Sequence, residues 1–339
     1  MRKTTTRTTA ARPGTKRAAK RKTQTHRAAR SKTSVRATSA RKASVRKTSA
    51  RKTSARKIST KRISTHGNGL EAFDGTLVLV GAGKMGSAML EGWLARGLDP
   101  KRVVVLDPQP GNAVRALARH GLSLNPKHLP QAVAALVIAV KPQAAADILP
   151  SLAPMLTPKT LALSIMAGKP LRFLAQALLR DAALVRAMPN TPAAIGRGIT
   201  VAVPGPDVTV RQRKLATELL AATGTVEWVT DETLMDAVTA VSGSGPAYVF
   251  LLAEALAEAG VRAGLPAALA ARIARETVSG SGELLRQSPL DAAELRRNVT
   301  SPGGTTAAAL AVLMAKDGLP TLMEAAVAAA TRRSRELAG

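Results

Sequence analysis

No cysteine occurs in the 339 residues. Disulfides, thiolate nucleophiles and cysteine-ligated metals are therefore excluded, while the compartment is left open. Histidine is nearly as scarce: His26, His66, His120 and His128 are the whole set, and no two stand at ligand spacing, so no metal site is expected. Long apolar runs are missing as well. The longest, about 132–140, falls far short of a membrane span and stops at Lys141-Pro142. A soluble protein with no membrane partner is expected.

The first 68 residues lack acids altogether and hold 23 of the 50 Lys and Arg, which leaves 27 against 22 acidic residues in the rest. The net charge of +28 is thus mostly a property of this segment. Arg36, Arg41, Arg46, Arg51 and Arg56 recur every five residues, four of them followed by Lys. No Leu, Phe, Tyr or Trp precedes Leu70, so too little apolar surface exists to offset the entropy of ordering. Residues 1–70 are expected to be a disordered basic tail. Three readings stand for it: nonspecific binding of nucleic acid or another polyanion, without aromatics for base stacking; a reading frame extended too far upstream; and an organelle transit peptide that lacks an apolar face.

From Thr76 strands and helices alternate. The run T-L-V-L-V (76–80) reads as a buried strand, followed by G-A-G-K-M-G (81–86) and a helix with Met85, Met89 and Trp93 on one side. This is G-x-G-x-x-G between strand and helix, as dinucleotide binding requires. Gly81 would make the tight turn, Gly83 would admit a pyrophosphate, and Gly86 would allow close packing. V-V-V-L (103–106) ends at Asp107, 21 residues beyond Gly86. A carboxylate there accepts a ribose 2′-hydroxyl and repels a 2′-phosphate, so the local signal favours NADH over NADPH. Further strands are expected at Leu136–Val140, Leu161–Gly168, Leu184–Pro192 and Ile199–Val203. In a parallel sheet their terminal loops should line one crevice.

After Trp228 the strands give way to Ala- and Leu-rich helical spacing. A helix is expected over 230–241, an interruption at S-G-S-G-P-A-Y (242–248), then helices at about 247–263, 266–279, 291–298, 306–315 and 319–337. Their apolar faces exceed what about 110 residues can bury by themselves, which implies dimerisation. N-V-T-S-P-G-G-T-T (298–306) opens one of these helices. Its first amides and the hydroxyls of Thr300, Ser301, Thr305 and Thr306 could hold a small carboxylate; an ordinary N-cap is the plainer alternative.

The motifs G-A-G-K-M-G, V-K-P-Q, S-I-M-A-G, R-A-M-P-N-T-P, D-A-V-T-A-V-S-G-S-G-P-A-Y and V-T-S-P-G-G-T-T, in this order, resemble pyrroline-5-carboxylate reductases over about 75–337. That resemblance implies a Rossmann domain (71–229) and an all-α dimerisation and substrate domain (230–339), with an active site completed at the interface of a homodimer. Dimers in the family are often assembled further into a decamer. It implies that Gly81, Gly83, Lys84, Met85 and Gly86 cradle the pyrophosphate and that Asp107 sits near the adenosine ribose. Val140, Lys141, Pro142, Ala167, Gly168 and Asn190 would surround the nicotinamide ribose and carboxamide. Ser301, Gly303, Gly304 and Thr305 would hold the substrate carboxylate, with Thr306 on the ring nitrogen. Family members commonly prefer NADPH, against the local reading of Asp107.

The implied chemistry suits what the chain lacks. Hydride transfer from NADPH or NADH to the C=N carbon of 1-pyrroline-5-carboxylate calls for positioning and charge stabilisation but no strong base, and a hydroxyl such as Thr306 can relay the proton. A cytoplasmic enzyme is expected. Two alternatives remain at this stage. A hydroxyacid dehydrogenase of similar architecture would need a base in the helical part, where the only lysine after Thr230 is Lys316. A polyanion-binding protein with a vestigial reductase domain would rest on the tail alone.

Overall fold

The computed structural model describes residues 69–131, 133–178 and 182–338. The basic segment 1–68, and with it the expected tail, lies outside the described residues. The folded part takes in Leu70, which is buried and donates its amide to the Arg96 carbonyl at 2.8 Å.

Among the described residues eight strands form one sheet: β1 (Leu77–Val80), β2 (Val103–Leu106), β3 (Ser123–Leu124), β4 (Ala135–Ile138), β5 (Leu161–Ser164), β6 (Ala183–Met188), β7 (Gly198–Pro204) and β8 (Gly224–Trp228). Their order is β3-β2-β1-β4-β5-β6-β7-β8. The first six are parallel, in the doubly wound order, with the reversal of direction between β1 and β4. Side chains alternate across the strands, so Leu77 and Leu79 face one core with Met89 and Trp93, while Val78 and Val80 face the other with Leu149 and Leu174. The first core packs α1 (Lys84–Ala95) against α5 (Val210–Leu220), and the Trp93 indole N–H donates to the Leu219 carbonyl at 2.8 Å. The second is covered by α3 (Ala145–Leu152) and α4 (Leu171–Leu178). The short α2 (Asn112–Ala118) follows β2.

The strand at 199–203 departs from expectation. It pairs antiparallel to β6 because only residues 189–197 connect them, too few for a crossover helix, and the chain turns back on itself. The loop after β7 therefore lies at the opposite end of the sheet from the crevice. The strand expected to reach Val140 stops at Ile138, where the chain passes directly over the glycine turn.

Beyond Trp228, one helical run extends over Glu232–Arg262: a 3-10 turn (Glu232–Leu234), α6 (Met235–Val238), a π turn (Thr239–Gly243) and α7 (Gly245–Arg262). The interruption expected at 242–248 takes the form of the π turn and a bend at Ser244, which separate α6 from α7 without ending the run. Gly243 and Gly245 keep negative φ, and Pro246 falls in the first turn of α7, where its missing N–H is not needed. Next comes α8 (Ala267–Gln287), which runs well past the expected end near residue 279, since Gly280 and Gly282 lower helix propensity without stopping a helix. The chain ends in α9 (Ala292–Asn298), α10 (Thr305–Leu313) and α11 (Leu319–Ala338). α7 and α8 pack on each other, and α11 returns to α6 and the π turn, where the buried Ser334 hydroxyl donates to Asp236 Oδ1 at 2.7 Å. Large apolar side chains elsewhere on the helices stay exposed, among them Phe250, Leu251, Leu256, Ile273, Val312 and Leu322.

Candidate active site

The glycine turn sits at the β1/β4 switch point. Gly81, at φ +90°, leaves β1 with its amide bonded to the Leu106 carbonyl, and a Cβ there would lie 2.8 Å from the Ala139 carbonyl oxygen. A left-handed φ and that proximity both require glycine. Gly86 is buried in the first turn of α1, where a Cβ would overlap the Gly81 carbonyl. Gly83 differs from both. It is the exposed N-cap of α1 at φ −66°, and a Cβ on it would meet nothing within 4 Å. Ser87 makes the first helical bond, back to Gly83, so the amides of Lys84, Met85 and Gly86 have no intrahelical acceptor. A bare surface over free amides at a helix start fits the pyrophosphate of a dinucleotide.

Asp107, half-buried at the end of β2, is tied into this turn. Its Oδ2 accepts the Ala82 amide at 2.6 Å and its Oδ1 the Gln109 amide at 2.7 Å. Val140, Lys141 and Pro142 follow β4 directly beside Gly81; Lys141 is exposed and caps a 3-10 turn. Ala167 and Gly168 (φ +71°) follow β5, where a Cβ on Gly168 would touch Leu337 of α11 at 3.4 Å. Asn190, after β6, accepts the Ile199 amide on Oδ1 at 2.9 Å, which leaves its amide nitrogen as a donor. These loops follow the carboxyl ends of parallel strands, at the same edge of the sheet as Gly81–Gly86. The sequence brought them to one edge through the strand order alone.

The helical segment 298–306 is placed apart. Gly303 has φ +70° and Gly304 is the N-cap of α10, with no side-chain cap. The first helical bond is Ala308 to Gly304, so the amides of Thr305, Thr306 and Ala307 have no intrahelical acceptor. The hydroxyls of Ser301, Thr305 and Thr306 bond to no described residue, whereas the Thr300 hydroxyl donates to the Arg296 carbonyl at 2.6 Å. Among the described residues neither α9 nor α10 packs extensively on another element. Val312 remains 73% exposed on a helix that is almost wholly apolar. One copy of the chain therefore presents the two halves of the predicted site without bringing them together.

Several residues near the crevice carried no role in the sequence. Arg186 in β6 is 5% exposed, and its Nη1 bonds Glu232 Oε1 at 2.9 Å. The same oxygen accepts the Leu171 amide at 2.8 Å, which ties β6 and α4 to the start of the helical part. An arginine inside L-V-R-A-M was the available signal, because a charge in a buried strand needs a partner. The π turn packs at the end of β6, where a Cβ on Gly243 would strike Met188. The Ser242 hydroxyl is buried there with no hydrogen-bond partner, and Tyr248 donates to the Ala240 carbonyl at 3.1 Å. No group of three or more His, Asp or Glu among the described residues could hold a metal.

Comparison with known proteins gives consistent matches. Residues 232–337 match the family described as pyrroline-5-carboxylate reductase dimerisation, and residues 76–168 the family described as NADP oxidoreductase coenzyme F420-dependent. The chain is 38% identical over 265 residues to a pyrroline-5-carboxylate reductase of Pseudomonas aeruginosa, covering 77% of this chain and 96% of that protein. It is 40% identical over 264 residues to one from Synechocystis, covering 77% and 97%. Among solved structures it is similar to a pyrroline-5-carboxylate reductase of Coxiella burnetii, with a TM-score of 0.71 at 31% identity over 78% of this chain and 99% of that one. It is also similar to the Plasmodium falciparum enzyme with NADP bound, with a TM-score of 0.66 at 28% identity over the same shares.

Proposed function

The chain belongs to the pyrroline-5-carboxylate reductase family, and from that premise we propose that it reduces 1-pyrroline-5-carboxylate to L-proline with NADPH or NADH, the last step of proline biosynthesis. The observation that carries this reading is the pairing of two helix starts with free amides. One, at Gly83–Gly86, opens at the carboxyl edge of the parallel strands; the other, at Gly304–Ala307, is flanked by the hydroxyls of Ser301, Thr305 and Thr306.

In this reading the domains divide at 71–229 and 230–339. The amides of Lys84, Met85 and Gly86 hold the pyrophosphate, and Asp107 faces the adenosine ribose. Val140, Lys141, Pro142, Ala167, Gly168 and Asn190 enclose the nicotinamide ribose and carboxamide. When bound, the reduced nicotinamide supplies the hydride that the imine carbon accepts. The amides at the start of α10, with Ser301, Gly303, Gly304 and Thr305, grip the substrate carboxylate. The Thr306 hydroxyl hydrogen-bonds the ring nitrogen and relays a proton from water to it as the carbon takes the hydride, so no strong base is needed. Lys316, the base that a hydroxyacid dehydrogenase would require, is instead exposed in the turn between α10 and α11.

The helical part is a dimerisation domain. A second copy covers the exposed apolar faces of α7, α8 and α10 and brings its 298–306 segment to the crevice of the first. That pairing also accounts for Glu232–Arg262, which by length and composition alone could cross a membrane and is only 6% buried in its most apolar window. A decamer of five dimers is the larger assembly that the resemblance implies, and light scattering separates it from a dimer. A cytoplasmic location is proposed on the soluble biosynthetic role.

The decisive experiment for the activity is an assay of residues 69–339 with pyrroline-5-carboxylate and each cofactor. Oxidation of the cofactor with formation of proline is expected; folded, dimeric protein that forms none with either cofactor contradicts the reading.

For residues 1–68 the proposed role is nonspecific polyanion binding, supported by their 23 positive charges without an acid. Affinity for duplex DNA should fall steeply with salt and ignore sequence. Titration of the full chain and of 69–339 against two unrelated duplexes checks this. A marked preference between duplexes, or binding that survives the truncation, counts against it.

A further inference from the structure

Asn125 is the one described residue other than glycine with positive φ, at 46°. Its successor is Pro126, which pushes a preceding residue toward extended backbone. The left-handed turn is therefore held against local preference, and outliers of this kind cluster at functional sites. Three hydrogen bonds hold it. The Asn125 amide donates to the Val105 carbonyl at 2.9 Å, extending the β2/β3 pairing by one residue. Its side chain then grips the backbone of Asp107 from both sides: Oδ1 accepts the Asp107 amide at 2.9 Å, and Nδ2 donates to the Asp107 carbonyl at 2.7 Å. The carboxylate held in this way spans the Ala82 amide of the glycine turn and the Gln109 amide of its own turn.

We infer that Asn125 is a positioning residue for cofactor preference, clamping the Asp107 backbone so that its carboxylate stays at the mouth of the glycine turn. The inference rests on the proposal that Asp107 faces the adenosine ribose. With both amides spoken for, each carboxylate oxygen still has a lone pair for a ribose hydroxyl, since an ionised carboxylate offers about four acceptor sites. A 2′-phosphate brought to the same place meets a fixed negative charge that cannot swing aside without losing two hydrogen bonds. Freed from the clamp, the end of β2 can shift and carry the carboxylate away, so discrimination against the phosphate weakens. A purely structural role for Asn125 would lower stability and leave the choice between cofactors alone.

The test is a double-mutant cycle on the full-length protein, reading the ratio of kcat/KM for NADPH to that for NADH together with melting curves. Asn125→Gly is the informative variant, because glycine takes the left-handed turn freely and only the clamp is lost. Asn125→Ser, too short to make both bonds, is the second variant should the first fail to fold. Asp107→Ser is expected to move the ratio toward NADPH by on the order of tenfold. Asn125→Gly should move it the same way by about 3- to 10-fold, through KM for the cofactor rather than kcat. The double variant should match Asp107→Ser alone, since the clamp acts only through the carboxylate. An unmoved ratio in Asp107→Ser overturns the ribose reading, and the inference falls with it. A moved ratio there, combined with an unmoved ratio in the Asn125 variants, a shift toward NADH, or a further shift in the double variant, overturns the inference alone.

Discussion

Gly83→Ala is expected to melt within about 2 °C of the parent protein and to bind NADPH and NADH on the order of 100-fold more weakly. The two halves of that result have separate causes. At φ −66° and with nothing within 4 Å of its added methyl, alanine at 83 costs the free protein little; at an N-cap the difference between the two residues is about a few tenths of a kcal/mol. The methyl does stand over the free amides of Lys84, Met85 and Gly86. A pyrophosphate seated there is displaced by about 1 Å, enough to cost two orders of magnitude in a positioned site. Gly86→Ala supplies the contrast, because its methyl overlaps the Gly81 carbonyl, a backbone atom. That variant should lose stability and cofactor binding together. Calorimetric titration of both variants, with melting curves, checks the pair. Parental cofactor affinity in Gly83→Ala would show that the pyrophosphate does not approach this helix start.

The same glycines illustrate how much of the molecule was legible beforehand. G-A-G-K-M-G between a strand and a helix located the crevice, because backbone geometry tolerates few residues at Gly81 and Gly86 and the motif carries that constraint in its spacing. The apolar runs located six of the strands for the same reason. What periodicity does not carry is direction. The reversal at β7 follows from the length of the 189–197 connection, and the strand's own residues read the same either way. At 242–248 glycine and proline mark a local break in α-helical bonding, but a π turn and a first-turn proline let the run continue past it.

Pairing between distant side chains was the least legible feature. Arg186 with Glu232 and Asn125 with Asp107 are separated by 46 and 18 residues, and no local rule joins them. Both pairs stabilise loops that the motifs had already marked. Motif residues thus name the site, while unmarked residues fix its geometry. The surplus apolar surface on α7, α8 and α10 was readable as a call for a second copy, since a chain that leaves Phe250 and Val312 in water has an unfilled interface.

Thr306→Ala is expected to lower kcat/KM for pyrroline-5-carboxylate by about 5- to 150-fold, equivalent to roughly 1 to 3 kcal/mol of transition-state stabilisation. The magnitude is that of one hydrogen bond to a group gaining charge, which is worth more than a neutral one. Stability should barely change. The hydroxyl bonds to no described residue and does not cap α10, whose N-cap is Gly304, and alanine is the better helix former at the second position. Cofactor affinity should also hold, because the hydroxyl is assigned to the substrate nitrogen while the cofactor is assigned to the loops of the sheet edge. Thr306→Ser keeps the hydroxyl and should recover most of the activity, whereas Thr306→Val keeps the shape and should not. Steady-state kinetics on the three variants, with cofactor titration, separate the possibilities. Wild-type efficiency in Thr306→Ala, or a parallel loss of cofactor binding, would remove this residue from the reacting nitrogen and return the start of α10 to carboxylate binding alone.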